Sequence, residues 1–336
     1  MTNQKKRKLA VCFLCAVGVL MCGLFFLQQR GGGQHIDASS DAYENETEGL
    51  TFYDGAWYAP KEDLDTILIM GLDKFQNAED AEGYRNDQQS DFLLLLVMDR
   101  AEKTCSILHI NRDTMTEIPI LGVTGNGAGS MQGQLALAHT YGSGQSDSCI
   151  NTLEAVSNLL YGMKIDHYVS MTMDAVAIIN DLTGGVTVHI EDDFSGEDSS
   201  LVQGQDVCLT GDQALTYVRA RGGMEDSSNL ARMERQRQYL TALYEQVKKC
   251  TQADENFLVK TITKINGYLV SDCTVNQMAE LGEAIETCEI SDIQPLDGEA
   301  VKGEEFMEFY VDETSLQKTV MELFYEVVED APDEES

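Results

Sequence analysis

Three short, nearly continuous apolar runs constrain the fold of this chain more than any other feature. They are Thr66–Leu72, Phe92–Met98 and Cys105–Ile110, and polar turns bound each of them. Apolar runs of about four to eight residues are typical of strands buried on both faces, as in a sheet covered by helices. These runs therefore predict a central sheet within an α/β domain.

Helical patterns alternate with further strand-like segments along the rest of the chain. The predicted helices cover Ser148–Tyr161, Met173–Leu182, a short segment opened by a capping box at Thr210–Gln213, and a long segment from Asn229 to Lys249. Val186–Ile190 predicts another strand after the helix stop at Gly184 and Gly185. Because no linker interrupts the alternation, residues 63–329 are predicted to form a single α/β domain with a central mixed β-sheet flanked by helices.

The N-terminus predicts one transmembrane helix ahead of this domain. Leu9–Gln29 contains 21 residues without a charge, and a helix of that length crosses a hydrocarbon core of about 30 Å. Four basic residues at positions 5–8 precede this segment, whereas only Arg30 follows it closely. The positive-inside rule then places residues 1–8 in the cytoplasm as a short tail and the domain outside the cell. The predicted location is the cell membrane, crossed once.

Two other interpretations of the N-terminus remain open. A cleaved signal peptide is the first, although the apolar run is longer than is usual and no small-x-small cleavage site follows Leu27. A nuclear localisation signal at residues 5–8 is the second and weaker interpretation. Residues 30–62 are polar and acidic and predict a flexible linker, and residues 330–336 predict an acidic tail.

The charge balance excludes nucleic acid as a partner. The chain has 23 Lys and Arg residues against 57 Asp and Glu residues, a formal net charge of −34. Five of the basic residues lie within the first 30 residues, which contain no acid. Phosphate backbones require a basic footprint that the acidic remainder of the chain lacks.

Cysteine spacing offers no metal or redox motif. The six cysteines after the predicted anchor are Cys105, Cys149, Cys208, Cys250, Cys273 and Cys288. They show neither CxxC nor His–Cys metal spacing and are too sparse for a disulfide scaffold. One or two disulfides outside the cell remain open, and a catalytic cysteine is not expected.

Guanidinium groups are concentrated in one stretch of this acidic chain. Arg219, Arg221, Arg232, Arg235 and Arg237 fall within nineteen residues. A guanidinium is a planar, permanently charged fork that matches phosphate oxygens, so the cluster predicts a phosphate site. Surface arginines that pair with the abundant acids are the alternative.

Polar residues at the ends of the predicted buried strands extend this site. Asn111-Arg112-Asp113-Thr114 directly follows one strand, where open α/β sheets usually bind their ligands. Asp73 follows the first apolar run and Asp91 precedes the second, so adjacent strands would bring the two carboxylates together. Carboxylates suit Mg²⁺, with substrate phosphates completing the shell. Ordinary turn residues are the alternative for both groups.

Eight motifs in one order resemble the LytR-CpsA-Psr family. They read ILIMGLDK, RNDQQSDFLLLLVMD, HINRDTM, LAHTYGSG, TLEAVSNLLYGMKIDHYV, LTGGVTV, LTGDQALTYVRAR and ARMERQRQYL. The resemblance covers about residues 63–249, and the stretch to about residue 328 resembles the C-terminal part of clostridial-type members. One N-terminal anchor with an external domain also matches the family.

The resemblance implies an activity and a set of site residues. A sheet packed by helices would hold a polyprenyl chain, and a glycopolymer would pass from a polyprenyl-pyrophosphate carrier to peptidoglycan through a phosphodiester, with Mg²⁺. Asp73 and Asp91 would hold the metal, and Asp113 would assist the metal or orient Arg112. The groups implied to line the pyrophosphate are Arg85, Arg112, Arg219, Arg221, Arg232, Arg235 and Gln236.

Two departures from the family pattern bear on these roles. The usual arginine-serine-aspartate step is spread from Arg85 to Asp91, and Asn229 stands where many members have an aspartate. If that aspartate acts as a base on the acceptor hydroxyl, its role either moves to the nearby Asp226, which is then the candidate base, or is weakened. Two alternatives to transfer remain open: hydrolysis of the polyprenyl pyrophosphate, and a non-enzymatic protein that binds polyprenyl phosphate or wall polymer and signals.

Overall fold

The computed structural model describes residues 49–73, 88–121, 127–142, 144–220, 229–254, 256–273, 288–304 and 306–328. The predicted anchor Leu9–Gln29 lies outside the described residues, as do Arg85, Arg221 and Asp226. None of the helices in these ranges is both long enough and apolar enough to cross a membrane.

The strands in chain order are β1 (Thr51–Tyr53), β2 (Ala56–Pro60), β3 (Leu64–Leu72), β4 (Ser90–Asp99), β5 (Thr104–Ile110), β6 (Met115–Leu121), β7 (Gly127–Gln134), β8 (His167–Thr172), β9 (Val186–His189), β10 (Asp206–Leu209), β11 (Leu269–Ser271), β12 (Glu289–Pro295), β13 (Gly298–Lys302), β14 (Met307–Val311) and β15 (Tyr325–Val327). The α-helices are α1 (Gln145–Leu159), α2 (Met173–Leu182), α3 (Gly211–Arg219), α4 (Asn229–Ala253), α5 (Phe257–Ile265) and α6 (Glu313–Phe324).

A six-stranded mixed sheet forms the centre of the domain. Its strand order is β11-β8-β3-β4-β5-β12. The β3–β8 and β5–β12 pairs are parallel, and the other neighbours are antiparallel. This arrangement confirms the predicted α/β domain with a central mixed sheet and flanking helices.

Both faces of the central strands are buried, which explains why their sequences are apolar at consecutive positions. Ile67 and Ile69 face a core formed with residues of α2, α3, α4 and α5. Leu68 and Met70 point the opposite way, into a core formed with residues of α1 and α6. Successive side chains of a strand alternate between faces, so a sheet covered on both sides requires apolar residues throughout.

The predicted helices closely match those observed. The α2 helix has the predicted bounds, and Thr210 and Gln213 form the expected capping box at the start of α3. Within the described residues, the α4 helix runs from Asn229, the predicted N-cap, to Ala253, four residues beyond the predicted end. At α3 the cause is local, because the side chains of the capping box satisfy free backbone amides at the start of the helix.

Strand register brings the ends of four central strands to one edge of the sheet. Leu72, the last residue of β3, pairs with Ser90 at the start of β4 and with Thr172 at the end of β8. Ile110, the last residue of β5, pairs with Leu93 near the start of β4. The residues that follow β3 and β5, and those that open β4, therefore gather in one place.

Candidate active site

A polar cavity of about 310 Å³ lies at this edge of the sheet, where α3 and α4 meet the strand ends. Its lining groups are the carboxylates of Asp73 and Asp91, the guanidinium groups of Arg112, Arg219 and Arg232, the amides of Gln89 and Gln236, and the apolar side chains of Met173 and Val218. The structure thus brings six of the predicted site residues, drawn from separate parts of the chain, into one cavity.

Asp91 is the centre of a buried ion network. Arg112 Nη1 donates to Asp91 Oδ1, and Arg112 Nη2 donates to Gln89 Oε1 at 2.5 Å. Arg232 Nη1 lies 3.7 Å from Asp91 Oδ1, and its Nη2 donates to the Asp91 backbone oxygen at 3.3 Å. All three charged side chains are largely buried: Arg112 is 8% exposed, Asp91 is 14% exposed and Arg232 is 5% exposed. At this burial their charges are weakly screened, so the pairs are strongly coupled.

The second carboxylate of the cavity has a different environment. Arg219 Nη2 lies 2.7 Å from Asp73 Oδ1, and the two side chains are 47% and 55% exposed. Arg219 is the last residue of α3, and Asp73 directly follows β3. This pair therefore forms the solvent-facing wall of the cavity, where a ligand can replace it at low cost.

Asp113 is placed to orient Arg112. Its Oδ1 lies 3.3 Å from Arg112 Nε and accepts a hydrogen bond from Gln134 Nε2 at 3.1 Å. Asp113 is absent from the lining of the polar cavity. Of the two roles that the family resemblance implied, this geometry favours positioning of the arginine over contact with a metal.

Asn229 joins the start of α4 to the turn after β5. Its Nδ2 donates to Asn111 Oδ1 at 2.7 Å, and the same oxygen accepts from the Asp113 backbone amide at 3.0 Å. This contact positions α4, and with it Arg232 and Gln236, against the turn that carries Arg112. The residue that departs from the family pattern is thus a structural contact in this chain.

Arg235 is not brought into the cavity. Its Nε donates to the Tyr217 carbonyl oxygen at 3.1 Å, its Nη2 donates to the Ala220 carbonyl oxygen, and its Nη1 donates to Asp192 Oδ2 at 2.6 Å. The guanidinium also lies 5.7 Å from the centre of the Phe194 ring. Its predicted place beside the pyrophosphate is therefore corrected to a structural position that ties the C-terminus of α3 to α4.

Replacing Arg235 by alanine is expected to lower the free energy of unfolding by about 2–4 kcal/mol. The change leaves two buried carbonyl oxygens without their donor and removes a buried side chain. Chemical denaturation of the full-length protein would measure it. Arg100→Ala, at an exposed pair with Asp65, is the matched control and should shift stability by less than about 0.5 kcal/mol. Equal stability of the two variants would contradict the structural assignment.

Gln89 is a cavity residue that the sequence analysis missed. Its side chain lines the cavity and accepts the hydrogen bond from Arg112. It directly precedes β4 and stands two residues before Asp91, and in extended chain positions two apart share one face. That period-two relation to Asp91 is the signal that would have found it.

Buried histidines near the site contribute no charge. Burial, reinforced by the positive charges of Arg237 and Arg232, lowers the pKa of His109 to about 3. Burial also lowers the pKa of His139 to about 4. Both imidazoles are neutral at physiological pH, so arginines and aspartates set the charge of this region.

The donor set of the cavity fits a hard divalent cation. Two carboxylates and the amide oxygen of Gln89 line the same space, and Mg²⁺ commonly binds one or two carboxylates together with substrate phosphates. Both carboxylates are paired with arginines in this structure. A bound cation would therefore replace these ion pairs with metal contacts and leave the guanidinium groups available to an anionic ligand.

A second, apolar cavity adjoins the polar one. It shares Met173, Val218 and Gln236 with the polar cavity and continues between the sheet and α4, past Phe92 and Leu243. Its exposed surface is almost wholly apolar. The two cavities together form one site with a cationic end and a hydrophobic end.

The fold and the site define a mixed-sheet α/β protein with an arginine-lined cavity at its strand ends. The model of the LytR_cpsA_psr family matches residues 29–324. This protein therefore belongs to the LytR_cpsA_psr family.

Comparisons with individual proteins agree with this assignment. The chain is 34% identical over 193 residues to the polyisoprenyl-teichoic acid–peptidoglycan teichoic acid transferase TagU of Halalkalibacterium halodurans, covering 57% of this chain and 56% of that relative. It is 28% identical to the protein of the same name from Bacillus cereus, covering 75% of each. A solved structure described as TagT bound to LI-WTA superposes with a TM-score of 0.57 at 22% identity, over 84% of this chain and 98% of that one. The superposition shows a shared fold.

Proposed function

We propose that this protein is a membrane-anchored, extracellular phosphotransferase that moves a glycopolymer from a polyprenyl-pyrophosphate carrier to peptidoglycan. Leu9–Gln29 would serve as the anchor, with residues 1–8 in the cytoplasm. The continuity of the cationic and apolar cavities carries the proposal. A polyprenyl-pyrophosphate glycan is an amphiphile with the same two parts. The TagU relatives are named as polyisoprenyl-teichoic acid–peptidoglycan teichoic acid transferases, which supports a polymer on a lipid carrier as the donor.

The arginines of the polar cavity would bind the pyrophosphate. Arg112 and Arg232 are held by buried contacts, whereas Arg219 is at the solvent-facing wall. Gln236 lies where the two cavities join, so its amide would contact the phosphate nearest the lipid. Fixed guanidinium groups stabilise charge that develops during transfer, because they require no reorganisation at that moment. Arg221 and Arg85 remain predicted contacts in the segments outside the described residues.

Asp73 and Asp91 would hold Mg²⁺. Bound there, the cation would neutralise charge on the pyrophosphate oxygens as the leaving group departs. Release of the carboxylates from Arg112 and Arg219 would accompany binding, so cation and donor are expected to bind cooperatively. Asp113 would keep Arg112 in position through this exchange.

The transfer step needs no covalent intermediate. A hydroxyl oxygen of peptidoglycan would attack the phosphorus that bears the glycopolymer and form the new phosphodiester. The bond from that phosphorus to the bridging oxygen would break, and polyprenyl phosphate would leave with the electron pair. Asp226 is the proposed base for the hydroxyl proton, a role worth about 10²- to 10⁴-fold in rate.

Hydrolysis of the same donor is the second candidate. The half-exposed Arg219–Asp73 wall admits water to the cavity, and water would serve as acceptor at the same phosphorus. Transfer and hydrolysis would use the same contacts to the polyprenyl-pyrophosphate donor. They would differ only in the acceptor that enters from the solvent-facing side, which is a peptidoglycan hydroxyl in transfer and water in hydrolysis.

One assay would distinguish these functions. The full-length protein in detergent is mixed with a short polyprenyl-pyrophosphate glycan and an uncrosslinked peptidoglycan oligomer. Mass spectrometry is expected to detect a glycan–phosphate–peptidoglycan adduct with Mg²⁺, which chelator abolishes and added Mg²⁺ restores. Release of polyprenyl phosphate without an adduct would favour hydrolysis. Donor binding without turnover in any condition would replace both activities by a binding and regulatory role.

A further inference from the structure

A second cluster of metal-ligating side chains lies at the opposite end of β8 from the polar cavity. β8 begins at His167, and β11 pairs antiparallel with it, with Ser271 opposite Val169. Continuation of this register places Asp272 and Cys273 beside the first residues of β8. His167 and Cys273 are far apart in sequence, so only the pairing of β8 with β11 brings their side chains together.

The ligand atoms of this cluster are close enough to share one metal ion. His167 Nδ1 lies 3.4 Å from Asp272 Oδ2, and Cys273 Sγ lies 3.9 Å from Asp272 Oδ1. One ligand atom from each of the three residues lies within 4.8 Å of the other two. Zinc bonds of about 2.0–2.3 Å in tetrahedral geometry separate their ligand atoms by roughly 3.3–3.8 Å, so small side-chain rotations suffice.

The surrounding contacts hold the cluster in place. Asp272 Oδ1 accepts the backbone amide of Tyr168 at 2.9 Å, and the Cys273 amide donates to Ser271 Oγ at 3.1 Å. Ser271 Oγ donates in turn to the Tyr168 carbonyl oxygen at 2.7 Å. Such outer contacts fix the orientation of metal ligands and are a regular part of metal sites.

The ligand types select the metal. The thiolate is a soft donor and the imidazole a borderline one, so these two ligands favour Zn²⁺ over Mg²⁺, and Zn²⁺ also accepts the carboxylate. Cys273 is 4% exposed, whereas the side chains of His167 and Asp272 are 18% and 34% exposed. The thiolate would therefore bind from the protein side, and solvent would reach the fourth coordination position.

We propose that His167, Asp272 and Cys273 form a zinc-binding site that fastens the edge strand β11 to β8. β11 has only three residues, so few backbone hydrogen bonds hold it to the sheet. Thr172, at the other end of β8, lines the apolar cavity, and five residues of strand span about 16 Å. The zinc site is thus separate from the Asp73 and Asp91 carboxylates.

Cobalt binding to metal-stripped full-length protein in detergent tests the site. Co²⁺ adopts the geometry of Zn²⁺ and gives a thiolate-to-cobalt absorption band. We expect one equivalent to produce this band, Zn²⁺ to abolish it by displacement, and excess Mg²⁺ to leave it unchanged. Cys273→Ser should lose the band, whereas Cys208→Ser, at an exposed cysteine elsewhere, should retain it.

Thermal unfolding provides the second measurement. Zn²⁺ should raise the Tm of the wild-type protein and of Cys208→Ser, because a metal that binds only the native state stabilises it. The rise should be lost in Cys273→Ser, and also in Asp272→Asn and His167→Gln, which preserve side-chain size and most hydrogen bonds. Absence of the cobalt band in the wild-type protein, or its persistence in Cys273→Ser, would overturn the proposal.

Discussion

Replacing Arg219 by alanine is expected to reduce glycopolymer transfer at least about 10²-fold while the domain stays folded. Arg219 lines the polar cavity from the C-terminus of α3 and pairs with Asp73 on its solvent-facing wall. Loss of the guanidinium removes a charge that would stabilise the leaving phosphate. Because the pair is about half exposed, its removal should change the free energy of unfolding by about 1 kcal/mol or less.

The measurement is the transfer assay with Mg²⁺, combined with chemical denaturation of the same preparations. Arg219→Lys keeps the charge but loses the planar fork and should recover only part of the rate. Arg100→Ala, at the far end of β4 from Asp91, removes another exposed arginine and should transfer at the wild-type rate. A wild-type rate in Arg219→Ala would remove Arg219 from the proposed site.

Asp91→Asn is expected to cost both activity and stability. Asp91 is 14% exposed and lies between Arg112 and Arg232, whose side chains are still more buried. Neutralising it removes the carboxylate that these two buried guanidinium groups share, and breaking a buried ion pair typically costs about 3–5 kcal/mol. The same change removes one of the two proposed Mg²⁺ ligands.

Asp73→Asn is the matched comparison, because it removes the other proposed ligand at a half-exposed position. Both variants should lose Mg²⁺-dependent transfer, but only Asp91→Asn should show a large loss in denaturation experiments. Transfer by Asp73→Asn with an unchanged Mg²⁺ requirement would argue against the proposed metal site. Wild-type stability of Asp91→Asn would argue against the buried ion network.

Much of the site was predictable because its residues stand beside strongly patterned elements. Asp73, Asp91 and Arg112 each adjoin a run of consecutive apolar residues, and such a run predicts a strand that is buried on both faces. Once these runs are read as neighbouring strands, their ends must meet. The family resemblance then added the chemistry that the residue types alone left open.

Arg235 is the residue whose position the local sequence did not predict. Arg235 shares the N-terminal part of α4 with Arg232 and Gln236, and sequence spacing alone does not separate them. Their different positions depend on how α4 is rotated relative to α3. In the observed packing Arg232 lines the cavity, whereas Arg235 contacts Asp192 and the carbonyl oxygens at the end of α3. Such a rotation depends on packing across many residues.

The central strands, the bounds of α2, the capping box at Thr210 and the family were all predictable from sequence, because each depends on residues that are adjacent or regularly spaced along the chain. Three other features are visible only in the tertiary structure: Gln89 lines the cavity, Arg235 lies outside it, and His167 lies close to Cys273. These outcomes depend on strand register and helix packing, which are set by the summed contacts of the whole core rather than by any short pattern.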